Sequence, residues 1–381
     1  MKFPHIPKLR IGNLIADKAI IQGGMGIGIS LSGLASAVAN EGGIGVIAAA
    51  GIGMLEPDFK KDVRQANKVA LKKEIIKAKS KTDGLIGVNI MVALSDFNDL
   101  LLTAFDTPVD CIFVGAGLPL SVPRILTPER MRTSKIKIIP IVSSARAAKI
   151  IFKSWEKYNC TPDAFVVEGP KAGGHLGFKK EQLIDSDFAL EKLVPETIEV
   201  VKIFENQFDK KIPVIAAGGI YTGSDIYKSL EMGASGVQMA TRFVGTRECD
   251  ADEAFKEAYI EADQNDLRII NSPVGLPGRA LKNTFLADVD AGEKKPFSCP
   301  WQCLRTCNVE KAPYCIALAL KNAMEGKLLN GFAFAGENAY RVNKIISVHE
   351  LMETIEKEFN QAYRWRTVKK HFQSIPECAN I

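Results

Sequence analysis

The reading of the fold turns on Ile212-Pro213-Val214-Ile215-Ala216-Ala217-Gly218-Gly219-Ile220, followed at 236–242 by Gly236-Val237-Gln238-Met239-Ala240-Thr241-Arg242. Each stretch opens as a continuous apolar run and closes on residues with little side chain. An apolar run without polar alternation is the pattern of a strand buried on both faces, and such strands belong to parallel sheets. The segment between them, 224–232, reads as a helix entered after Thr222-Gly223 and left at Gly233, a C-cap signal. Strand, helix and strand in that order make one βαβ unit.

Working outward, six similar runs lie upstream, at 19–22, 44–48, 85–92, 111–115, 136–142 and 164–168. Amphipathic segments separate them. In 145–158, Ala147, Ala148, Ile151 and Trp155 share a side, while Lys149, Lys153 and Lys157 lie elsewhere; in 194–208, Ile198, Val201 and Phe204 recur every third residue. Eight strands with crossover helices predict an α/β fold of the (β/α)8 TIM-barrel type. A doubly wound sheet would carry G-x-G-x-x-G after its first strand, and Gly23-Gly24-Met25-Gly26-Ile27-Gly28 does not fit that spacing. The expected division is a lead-in at 1–18 with a hairpin around Gly12-Asn13 under the barrel, a barrel at 19–264, and a mostly helical extension at 265–381 capping it. After Arg247 the pattern changes: 252–262 reads as a helix, and 271–279 (NSPVGLPGR) as a Gly/Pro-rich loop.

Composition agrees with a globular enzyme. The 381 residues are 46% hydrophobic and 24% charged, which excludes disordered, collagen-like and coiled-coil chains. The net charge of +5, from 49 basic and 44 acidic residues, is too mild to indicate nucleic acid. The opening MKFPHIPKLR lacks an apolar signal core, and the apolar stretch 33–55 is broken by Asn40 and Glu41. The expectation is a cytoplasmic protein with no membrane partner and with reduced thiols. The basic tail 364–370 reads as a solvated helix face.

Three features carry chemistry. The loops after strands seven and eight are where barrels commonly hold phosphate; Gly218 and Gly219 let backbone N–H groups approach, and Thr241 adds a hydroxyl. His175 lies in Glu168-Gly169-Pro170-Lys171-Ala172-Gly173-Gly174-His175, directly after strand six; of four histidines it alone sits at the catalytic end of a barrel strand. Gln22-Gly23-Gly24-Met25-Gly26, after strand one, leaves room for a flat ring, and Asn89, polar inside an apolar strand, needs a partner such as a ring edge. Together these describe a flat heteroaromatic ring with a phosphate tail on top of a barrel.

The motifs IIQGGMG, VNIM, VGAGLP, EGPKAGGHLG, IPVIAAGGI and VQMATRFV resemble those of the FMN-dependent nitronate monooxygenase family, formerly 2-nitropropane dioxygenases, from about Ala19 to Arg247. VNIM and VGAGLP are especially similar to the FMN-type enoyl-acyl-carrier-protein reductases of the same superfamily. The resemblance implies that Gly24, Met25 and Gly26 contact the flavin ring, that Asn89 hydrogen-bonds the ring or ribityl chain, and that Glu168 and Gly173 face the flavin. It further implies that Gly218, Gly219, Gln238, Met239, Ala240 and Thr241 hold the phosphate, and that His175 is the catalytic residue. Two positions depart from the family: Ile141 stands where some members carry Lys, and Lys171 where others carry Glu or Gln before Ala-Gly-Gly-His. The implied activity is oxidation of an alkyl nitronate with O2. The alternatives are NAD(P)H-dependent enoyl reduction, NAD(P)H:quinone reduction, or a flavin/iron–sulfur electron-transfer protein. The expected partners are a small-molecule substrate (nitronate, enoyl thioester or quinone), NAD(P)H as an optional reductant, and a homodimer as an open option.

Cys299, Cys303, Cys307 and Cys315 form C-x3-C-x3-C-x7-C. This matches no common C-x2-C site, so the expectation is no metal and thiols packed in the cap, with a cluster or zinc as the open alternative. The neighbouring Phe332-Ala333-Phe334-Ala335-Gly336 either lines the substrate pocket or packs on the rim.

Overall fold

The structure, a computed structural model, describes residues 4–299 and 301–373, the side chains of 367–373 excepted. Residues 367–370 of the basic tail therefore lie outside the described side chains. Eight parallel strands close into a barrel: β1 (Ile20–Gln22), β2 (Ile44–Ala48), β3 (Leu85–Met91), β4 (Cys111–Gly115), β5 (Lys137–Val142), β6 (Phe165–Glu168), β7 (Val214–Ala217) and β8 (Gly236–Met239). Each pairs with its sequence neighbour, and β8 returns to β1. The expected (β/α)8 barrel is the observed one. Its strands are buried along almost their whole length, as their unbroken apolar runs require.

The helices between the strands form the outer ring, among them Ser32–Asn40, Val63–Lys79, Phe97–Phe105, Ala145–Glu156, Leu190–Phe208 and Gly223–Glu231. Ala145–Glu156 buries Ala148, Ile151, Phe152 and Trp155, the face its periodicity marked. Phe152 lies between Phe165 of β6 and Phe204 of the next helix, 5.1 and 4.1 Å away between ring centroids. The N-terminal hairpin, Leu9–Ile11 with Leu14–Ala16, turns at Gly12-Asn13 and crosses the barrel's lower end, where Leu9 reaches Gly236 and Gly12 reaches Lys137.

The chain after β8 does two things. A hairpin of Leu267–Asn271 and Pro277–Leu281 folds over the top and pairs with a two-residue strand, Gly174–His175. Within the stretch 271–279 that the sequence reads as a loop, 272–276 is the hairpin turn, while 271 and 277–279 belong to its two strands. Its turn is tight, closed by the bond from Ser272 N to Leu276 O (3.1 Å) with Gly275 at φ 84°, so Gly and Pro punctuate the hairpin without dissolving it. The last helix, Val348–Gln373, lies in the stretch that the sequence groups with the cap, yet it packs outside the barrel against Gly223–Glu231 and Ser32–Asn40. Among the described residues no helix is long and apolar enough to cross a membrane.

Candidate active site

The C-terminal ends of the strands open onto a cavity of about 680 Å³. Every residue that the resemblance assigns to the flavin or to catalysis lines it: Gly24, Met25, Gly26, Asn89, Glu168, Gly173, His175, Gly218, Gly219, Gln238, Met239, Ala240 and Thr241. Strand register explains part of this. Glu168, Ala217 and Gln238 stand level on β6, β7 and β8. The loop after β1 lies directly on Asn89; a Cβ added to Gly24 would come within 2.5 Å of the Asn89 Cβ.

At the ends of β7 and β8 the backbone is shaped for an anion. Gly218 and Gly219 have φ of 90° and 85°, and a Cβ on either would meet Gly169 O at 2.7 Å or Lys171 Cβ at 2.8 Å. Asn338 Nδ2 donates to Gly219 O (2.8 Å), which fixes that peptide. The N–H groups of Gly218, Gly219, Ile220, Ala240 and Thr241 donate to no other group among the described residues. Five free donors on two adjacent loops, the second opening the short helix Thr241–Val244, suit a phosphate. Thr241 Oγ1 accepts from Gly336 N at 3.2 Å.

Three polar side chains at strand ends, Asn89, Glu168 and Gln238, make no hydrogen bond among the described residues while lining the cavity. Polar groups in such a place require partners. A flat ring rich in donors and acceptors, with a phosphate tail reaching the five N–H groups, satisfies them. The donor set therefore fits FMN.

The catalytic-end titratable groups are inverted in strength. Burial lowers the His175 imidazole to about 4 and raises the Glu168 carboxyl to about 7. At neutral pH the histidine is uncharged, and the acid still binds a proton about half the time. His175 Nε2 lies 2.7 Å from Ser272 Oγ, and the ring meets Phe334 edge-on at 4.9 Å. Arg279, itself buried, donates to the carbonyls of Pro170 (2.8 Å) and Ala172 (2.5 Å) and so clasps the loop that carries the histidine.

Ser272, Arg279 and Asn338 were not marked by the sequence. They come from the extension, a hundred residues or so beyond the loops they hold. The available signal was a lone Arg in an otherwise uncharged 271–281 stretch. Phe334, Ala335 and Gly336 line the cavity, whereas Phe332 packs with Phe285 and Tyr314 in a small core of the extension. The four cysteines at 299–315 surround a second, smaller cavity of about 390 Å³ beside the first.

A closed (β/α)8 barrel with unpaired backbone N–H donors after β7 and β8 and a histidine loop after β6 has the form of a barrel enzyme. The chain matches the nitronate monooxygenase family across residues 10–358 and belongs to it. It is an oxidoreductase. It is 28% identical over 278 residues to an octahydro-indene-carboxyl-CoA dehydrogenase of Mycobacterium tuberculosis, covering 73% of this chain and 67% of that protein. It is 31% identical over 206 residues to a probable nitronate monooxygenase of Staphylococcus aureus, covering 54% of this chain and 52% of that protein. The chain thus spans about two thirds of the first relative and about half of the second. The solved structure of FabK from Thermotoga maritima superposes with a TM-score of 0.69 at 29% identity, covering 94% of this chain and 96% of that one.

Proposed function

We propose that this chain is an FMN-dependent oxidoreductase that reduces an unsaturated acyl thioester with NAD(P)H. The observation that carries the substrate class is the cavity's upper half. Above the glycine floor it is walled by Ile27, Met54, Phe59, Trp301, Ile316 and Leu320. An apolar lining of this extent suits an acyl chain, which meets more of it than a nitronate of a few carbons does. The match with FabK along both chains, and the carboxyl-CoA named in the mycobacterial dehydrogenase, support the same class.

Bound FMN supplies hydride transfer between nicotinamide and substrate carbon. The protein's part is to bind, orient and move protons. The five free N–H groups would hold the phosphate, and Asn89, Glu168 and Gln238 would meet the ring and its chain. With Ser272 donating to Nε2, the neutral His175 carries its proton on Nδ1, as a donor to the thioester oxygen or the α-carbon.

Nitronate oxidation is the second reading. Family membership favours it. The two separate in anaerobic half-reactions. The thioester reading expects NADH or NADPH to bleach the flavin and an enoyl thioester to restore its colour without oxygen. If neither nucleotide bleaches it and a nitronate does, the order of the two readings reverses.

A further inference from the structure

We propose that Cys299, Cys303, Cys307 and Cys315 together bind a four-iron, four-sulfide cluster in the smaller cavity, against the wall that this cavity shares with the active site. All four thiols line that cavity, and Cys303, Leu304, Ile316 and Ala317 line both. Packed thiols with no ligand would close the space between them, since protein interiors pack to crystal density. Here about 390 Å³ stays open, many times the roughly 30 Å³ share of one water.

The room between the thiols suits a cluster better than an ion, since all four line one cavity of about 390 Å³, far more than a single ion fills. A single zinc draws its sulfurs to about 2.3 Å from one point. A cubane core sits between its thiolates and keeps them apart by its own width, and four cysteines are its usual ligand set. This departs from the expectation of no metal that the C-x3-C-x3-C-x7-C spacing set by itself.

The segment is fixed against the barrel. Ser95 N donates to Cys303 O (3.1 Å), Arg305 N donates to Ala93 O (3.0 Å), and Leu304 bridges Leu94. Cys315 directly precedes the helix Ile316–Met324, and its sulfur accepts from the backbone N–H groups of Leu318 and Ala317, which favours thiolate. Iron binds thiolates, so ligation releases the thiol protons. On ligation four S–H protons leave as four Fe–S bonds form, and no electron changes hands.

The test is iron and acid-labile sulfide per chain on the full protein purified without oxygen, with flavin content read on the same samples. The expected result is about four of each. Cys303→Ser and Cys307→Ser should each fall below one iron with unchanged far-ultraviolet circular dichroism, and Cys160→Ser should keep the full content. The proposal is overturned by a wild-type chain below one iron even after anaerobic reconstitution with equal ferrous and ferric iron and sulfide. It is equally overturned by one zinc per chain, or by both variants retaining iron. A chain with FMN but no iron overturns the cluster alone and leaves the flavin reading standing.

Discussion

His175 is held from three sides, by Ser272, Phe334 and the strand pairing with Gly278. In the proposed function it transfers a proton or anchors the substrate oxygen, so His175→Ala should lower turnover per bound flavin by about 10²–10⁴-fold. Flavin content should stay near that of the wild type, because the phosphate cradle is elsewhere. Flavin stoichiometry and kcat on the one variant check this; loss of flavin with normal kcat per flavin makes the histidine a loop clasp only. Glu168 gives a pH prediction for the flavin-free protein. Its folded value, about 7, lies above the ordinary 4.5, so between those values the folded chain binds more protons than the unfolded one. Stability from this group is complete below about pH 4.5 and falls as pH rises through 7, by up to about 1.4 kcal/mol per unit. Glu168→Gln should flatten that decline and melt higher than wild type at pH 8; parallel melting curves from pH 5 to 8 would refute it. At this scale the sequence was informative, since glycines, a lone histidine and an in-strand asparagine are visible by type. The inverted strengths of Glu168 and His175 were not, because burial is a property of the assembled cavity.

At the scale of elements, the strands, their order and the glycine-bearing loops after β7 and β8 were legible because buried parallel strands and helix faces print local periodicities. The hairpin 267–281 was not. Its strand period is obscured by Pro273, Gly275, Pro277 and Gly278, and its pairing with Gly174–His175 is a contact across about a hundred residues. Arg279 shows what that hairpin does. Arg279→Ala removes the donor to the Pro170 and Ala172 carbonyls and should cost about 1–3 kcal/mol of stability. It should also lower kcat with flavin content maintained, as the histidine loop loosens. A thermal melt and steady-state kinetics read both, and an unchanged kcat would separate the clasp from catalysis. In the phosphate loop, Gly219→Ala meets both a positive φ and the Lys171 Cβ, so flavin occupancy should drop several-fold. Full occupancy in that variant would place the phosphate elsewhere.

For the whole molecule, the barrel's eighth side is covered from the far end of the chain. Glu358, on Val348–Gln373, accepts from Gly223 N (2.8 Å) and from both terminal nitrogens of Arg242 (2.8 and 2.9 Å). Arg242 follows Thr241 directly, so the last helix steadies the rim where the phosphate donors sit. Glu358→Ala leaves a largely buried guanidinium without its carboxylate and should destabilise by about 1–3 kcal/mol, with weaker flavin retention, seen by denaturant titration and dialysis. The helix itself is amphipathic and readable in sequence. Its return to the barrel is a tertiary fact that no local pattern encodes. The account rests most on one property, a single FMN held by the loops after β7 and β8. Heat-released flavin from the purified full chain, separated by chromatography and counted against protein, measures it directly. The prediction is FMN at about one per chain. FAD in its place, or no flavin after reconstitution with FMN, would contradict the account.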